Sequence, residues 1–143
     1  MKKRRLVLII CFMIICLLGC GKKEISLENA TLERSPLSDL QDGNGGIEIE
    51  IVEQTKRGLT VQITNNTKNW WGYGVSYRLE VFQDGEWYKV PTLPGEWAFI
   101  EIWIELEPGQ TNEEAYDFEM YGELPAGKYR IIIEDHYAEF EVK

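Results

Sequence analysis

After Cys20 the chain has no cysteine at all. Its three cysteines, Cys11, Cys16 and Cys20, are confined to the start, so no disulfide can staple anything downstream and a packed core has to supply the stability. Histidine is almost missing, with His136 the single example. That removes any metal site built on His and Cys spacing. Ser26, Ser35, Ser38 and Ser76 are likewise left without a nearby partner of the triad type. His136 itself falls in an expected tight turn with Asp135, where His tolerates positive φ better than most residues, and reads as a turn residue rather than a general base. Positive charge is scarce as well. Fifteen basic residues face 24 acidic ones, for a formal net charge of −9, which argues against nucleic acid and anionic lipid headgroups as partners. No stretch carries a convincing helical period.

What basic charge there is opens the chain. Lys2, Lys3, Arg4 and Arg5 precede an apolar run from Leu6 to Leu18. That run is shorter than the roughly 20 residues a membrane span needs and has the form of a signal peptide, residues 1–19. It ends in Leu17-Leu18-Gly19-Cys20, which resembles the bacterial lipobox. The resemblance implies that Cys20 is diacylated (a diacylglycerol, with or without a palmitate-type chain) and becomes the mature N-terminus; the alternative is an uncleaved anchor with a chance cysteine. Removing the leader takes four basic residues and leaves 11 against 24 acidic, a net charge near −13. Residues 20–46 hold few large apolar side chains and close in Asp42-Gly43-Asn44-Gly45-Gly46. They read as a flexible tether with weak helical character around Ile25 to Leu32, holding the following domain about 25–30 Å from the anchor.

Residues 47–143 are patterned as strands. Ile47, Ile49 and Ile51 alternate with glutamates, then Leu59, Val61 and Ile63 with polar residues, the period of a half-buried strand. Val75, Tyr77, Leu79 and Val81 give a third strand, opposed by Ser76, Arg78 and Glu80 on an outward face. Asp84-Gly85 is a type I′ hairpin signal leading into Glu86 to Val90. Ile100, Ile102, Ile104 and Leu106 predict one long strand, with Trp103 among the glutamates on its other face. Thr111 to Phe118 reads as a strand and Glu119 to Gly122 as a helical turn. The last two strands carry Tyr129, Ile131, Ile133 and then Ala138, Phe140, Val142.

Seven to eight short strands with one buried face predict an all-β, immunoglobulin-like antiparallel sandwich, with a small barrel or a jelly roll as alternatives. Tyr129, two residues after Gly127 at the mouth of an apolar strand, suits a tyrosine corner whose hydroxyl meets a backbone group near Tyr121 to Pro125. Ile131 stands where antibody domains have a cysteine. Arg130, on the other side of that strand, reads as an ordinary surface residue.

Several phrases then resemble a known family. They are Val61-Gln62-Ile63-Thr64-Asn65-Asn66-Thr67, Tyr77-Arg78-Leu79-Glu80, Asp84-Gly85-Glu86-Trp87-Tyr88 and Leu106-Glu107-Pro108-Gly109-Gln110, followed by Tyr121-Gly122-Glu123-Leu124-Pro125-Ala126-Gly127-Lys128-Tyr129-Arg130. The series is similar to the bacterial Ig-like domain of secreted proteins and lipoproteins of Firmicutes, a family with no established activity. The resemblance implies no catalytic residue, no metal and no cofactor beyond the lipid on Cys20. It also implies a place on the extracytoplasmic face of the cell membrane.

Aromatic residues carry the functional signal. Trp70, Trp71 and Tyr73 crowd one loop, Trp97 follows another and Trp103 sits on an outward face. Gathered on the surface they would form a platform for a protein or a glycan; otherwise they belong to the core. Carboxylates at Glu101, Glu105, Glu107, Glu113, Glu114 and Asp117 offer a glycosidase pair or calcium ligands as alternatives. No run resembles a calcium loop and strand carboxylates splay apart, so a solvated, charge-guarded strand face explains them better. The reading is a non-catalytic interaction or adhesion module, with glycan binding as the alternative.

Overall fold

The computed structural model describes residues 25, 27, 31–37, 39–43 and 46–143; the expected signal peptide and Cys20 lie outside them. Ten strands follow in order: β1 (Gln41–Asp42), β2 (Ile47–Thr55), β3 (Gly58–Asn65), β4 (Trp71–Gly74), β5 (Arg78–Gln83), β6 (Glu86–Lys89), β7 (Trp103–Leu106), β8 (Thr111–Asp117), β9 (Gly127–Ile133) and β10 (His136–Val142). One sheet has the order β1-β10-β9-β5-β6, a second β2-β3-β8, and β4 pairs with β7 as a short ribbon. Every pairing is antiparallel except β1 with β10. No helix occurs among the described residues. The architecture is an all-β, Ig-like sandwich.

The period-2 pattern explains the layers. Ile47 and Ile49 of β2, Leu59, Val61 and Ile63 of β3, and Leu79 and Val81 of β5 are buried together with Tyr129, Ile131 and Ile133 of β9 and Phe140 of β10. Asp84 (φ 50°) and Gly85 (φ 83°) both take positive φ between β5 and β6, the requirement of a type I′ turn. Gly122 N–H donates to the Phe118 carbonyl at 2.7 Å, a single helical turn. The β9–β10 turn sits one residue earlier than expected. Glu134 (φ 54°) and Asp135 make it, so His136 opens β10 opposite Ile133 and is buried.

Two expectations are corrected by long-range structure. The strand expected from Ile100 is regular only from Trp103 to Leu106, because β7 pairs with β4; Ile100 and Ile102 are exposed. Arg130 and Glu80 are not surface residues, at 6% and 2% exposure. The stretch expected as a tether explains this. Ser35 N–H donates to the Trp87 carbonyl and Lys89 N–H to the Glu33 carbonyl, closing the outer edge of β6. The same segment then crosses to β10, where Gln41–Asp42 form β1. On the way the Ser35 hydroxyl meets Glu80 Oε1 at 2.5 Å. The part of the outer face around Glu80 and Arg130 is thereby covered, and Ile132 is buried there too.

Candidate binding surface

The ribbon of β4 and β7 sorts the expected aromatics by parity. Tyr73 points into the core and has no exposure. Its hydroxyl donates to Glu114 Oε1 at 3.2 Å and accepts from Asn112 Nδ2 at 2.8 Å, and burial pushes its pKa up to about 12. Trp71, on the same parity, is half-buried. It stacks on Tyr73 at 5.3 Å and meets the edge of His136 at 5.4 Å. These two rings belong to the packing of the sandwich, so the expected patch loses Tyr73 entirely and Trp71 in large part.

The other parity carries exposed indoles. Trp70 is 62% and Trp103 61% exposed. Gly72 lies between them on that face, and a Cβ there would fall 2.6 Å from Trp103 Nε1. The absence of a side chain at position 72 is what lets the Trp103 ring lie on the ribbon. Trp97 is partly exposed and anchored: its Nε1–H donates to the Leu93 carbonyl at 2.9 Å.

Phe99, Ile100 and Ile102 join Trp97 and Trp103 as exposed large apolar side chains. Sequence reading missed these three, having assigned the isoleucines to an inward face. A signal was present, because Trp97-Ala98-Phe99-Ile100-Glu101-Ile102-Trp103 is apolar on both parities, whereas a half-buried strand is apolar on one. The segment runs beside β8 and leaves a groove of about 390 Å³ whose lining includes Tyr77, Trp97, Phe99, Tyr116 and Met120. Phe99 meets the Tyr77 ring edge-on at 5.5 Å, and the Tyr77 hydroxyl donates to the Asp117 carbonyl. Burial raises the pKa of both Tyr77 and Tyr116. The Tyr116 hydroxyl is buried with no hydrogen-bond partner among the described residues. Glu114, Asp117 and Glu119 also line the groove, and no Lys or Arg does.

Tyr129 is a structural residue. Its ring is wholly buried and its hydroxyl donates to the Pro125 carbonyl at 2.8 Å. His136 is boxed in by Trp71, and its Nδ1 lies 2.8 Å from Asp135 Oδ1 without hydrogen-bond geometry. Among the described residues no cluster of three or more His, Cys, Asp or Glu is placed to hold a metal, and no helix is long and apolar enough to cross a membrane. A family model for a bacterial Ig-like domain matches residues 46–141.

The chain belongs to the bacterial Ig-like domain family. The matched span takes in β2 to β10 and stops short of β1 and the segment that covers β6. This Ig-like domain therefore carries an N-terminal strap outside the family match, and its apolar surface lies within it. No curated protein and no solved structure matches the chain.

Proposed function

We propose that the protein is a non-catalytic interaction module, held on the extracytoplasmic face of the cell membrane by a lipid on Cys20, that binds a protein through the face around Trp97 to Ile102. The carrying observation is the exposed run of Trp97, Phe99, Ile100 and Ile102 on a chain with 24 acidic against 15 basic residues. Exposed contiguous apolar patches mark interaction sites on soluble domains, and aromatic side chains are the usual anchors of interfaces. The basic start, the apolar run and Leu17-Leu18-Gly19-Cys20 support the anchor, since two acyl chains hold a protein where one binds only marginally.

Two measurements test this reading. Cys20→Ala should shift the protein out of the processed membrane fraction, and mass spectrometry of the wild-type mature protein should find diacylglycerol on Cys20; an unmodified Cys20 would end the anchor. A photocrosslinking amino acid at Ile100 should give discrete protein adducts in living cells. The same probe at Val52, exposed on β2, should give none. Equal labelling from both positions counts against a defined face.

A second reading rests on a different observation, the two exposed indoles Trp70, immediately before β4, and Trp103, on β7. Flat indoles suit sugar rings, and Glu105 on the same parity offers hydroxyl acceptors. In that case Trp70→Ala and Trp103→Ala should each abolish binding to cell-wall polysaccharide with the fold retained. Unchanged binding would dismiss the glycan reading.

A further inference from the structure

The backbone hydrogen bonds of β8 can be phased. Phe118 N–H donates to the Arg57 carbonyl and Asn65 N–H to the Gln110 carbonyl. Both are pairs of the β3–β8 register, which runs Leu59 with Tyr116, Val61 with Glu114 and Ile63 with Asn112. In an antiparallel ladder hydrogen-bonded pairs recur every second residue, so Asn112, Glu114 and Tyr116 spend their backbone groups on β3. Glu113, Ala115 and Asp117 direct theirs to the opposite side. There β8 has no neighbouring strand, and the Asp117 carbonyl takes the Tyr77 hydroxyl. The N–H and C=O of Glu113 and Ala115 have no hydrogen-bond partner among the described residues.

By contrast, residues 33–35 bond to the outer edge of β6, and β1 pairs with His136 and Tyr137 at the start of β10. The open edge of β8 borders the groove that Trp97, Phe99 and Ile100 wall on its far side, with Tyr77 between. An unpaired edge with flanking apolar pockets is the arrangement that accepts an added strand, main-chain bonds giving affinity and alternate side chains giving specificity.

Resting on the interaction reading above, we propose that the outward edge of β8 receives an extended, apolar and basic segment of a partner protein as an added antiparallel or parallel strand. Charge decides the chemistry of the occupant. Glu114, Asp117 and Glu119 line the groove without a cation, and Glu113 stands exposed on the strand itself. A second copy of the chain would set these carboxylates against one another, which is unfavourable for directly opposed strands. A segment alternating Lys or Arg with Val, Ile or Leu places its cations beside Glu113 and Asp117 on the exposed face of β8 and its aliphatic side chains on the face of Tyr116 and Tyr77.

The probe is the peptide Lys-Val-Lys-Val-Lys-Val-Lys, added to the full-length protein in detergent. It should quench or shift tryptophan emission saturably and slow hydrogen exchange at the Glu113 and Ala115 amides. N-methylation of alternate residues keeps charge and composition but removes donors, and should weaken binding about tenfold or more. The Glu-for-Lys counterpart should not bind. Ala115→Pro deletes an outward N–H at an edge position where proline is tolerated and should weaken binding similarly. If that variant does not fold, the N-methylated peptide on the wild-type protein still decides. Equal affinity of the methylated peptide, or binding without protection of Glu113 and Ala115, overturns strand addition. Failure of every peptide while Ile100 still crosslinks in cells overturns strand addition but leaves the interaction module standing.

Discussion

Arg130 holds Glu80 in a two-point ion pair, Nε at 2.8 Å and a terminal guanidinium nitrogen at 2.5 Å from the same Oε2, with both side chains buried. The guanidinium carbon also lies 4.4 Å from the centre of the Trp87 ring and 5.1 Å from that of Tyr137. The pair ties β5 to β9 on the face that points away from the sandwich core, and Ser35 seals it.

Arg130→Ala should therefore destabilise the domain by about 3–5 kcal/mol, because it leaves the Glu80 carboxylate buried and unpaired. Replacing both partners with apolar residues, Arg130→Met with Glu80→Leu, should cost less than the single change. Urea unfolding of the three proteins checks both statements. A single-variant loss below about 0.5 kcal/mol would mean that Arg130 behaves as a surface residue.

Tyr129→Phe should cost about 1–3 kcal/mol, since the part-buried Pro125 carbonyl loses its donor while the ring stays. Ile131→Ala, with no exposure, should cost roughly 2–5 kcal/mol through the cavity it leaves. Stability equal to the wild type in the tyrosine variant would deny the corner its energetic role.

These predictions also mark what the chain discloses of itself. Strand existence and facing follow from local alternation, so Ile47, Val61, Leu79 and Ile131 were legible as core, and Asp84-Gly85 as a turn. Alternation assigns a residue to one face or the other but does not say what covers the second face. Glu80 and Arg130 read as solvent-facing because the segment around Ser35 that buries them is distant in sequence and weakly patterned. Ile100 and Ile102 failed for a related reason. Their period is that of a strand, yet β7 finds its partner in β4 only from Trp103 onward. At the candidate site Trp70, Trp97 and Trp103 were legible as aromatics, but exposure was not: Trp71 and Tyr73 lie on the inward parity of β4, and Trp70 immediately precedes that strand.

Alkaline pH should unfold the domain cooperatively. Burial raises Tyr73 and Tyr129 from 10 to about 12 and also raises Tyr77, Tyr116 and Tyr121. The folded state keeps protons that the unfolded chain releases above pH 10, so stability is full below that pH and falls as pH climbs toward 12 and beyond. Urea midpoints between pH 8 and 12, with tyrosinate absorbance alongside, follow the loss. A flat profile through pH 11 would contradict the assigned burial.

Ile100→Ser should leave stability within about 0.5 kcal/mol, because an exposed position contributes little to folding, whereas Phe99→Ser should cost about 0.5–1.5 kcal/mol through its lost edge contact with Tyr77. Ile100 is 69% exposed. Both substitutions should nonetheless reduce crosslinking from a probe at Trp97. A large loss of stability would assign these residues to the core instead.

The central claim is that the face from Trp97 to Ile102 is solvent-exposed in the isolated domain and covered where the protein works. Hydroxyl-radical footprinting, run on the purified protein and on intact cells, addresses it directly. Oxidation of Trp97, Phe99 and Ile100 should be strong in the purified protein and suppressed on cells, while Val52 on β2 is oxidised equally in both. Equal oxidation of Trp97, Phe99 and Ile100 in the two samples would contradict the account.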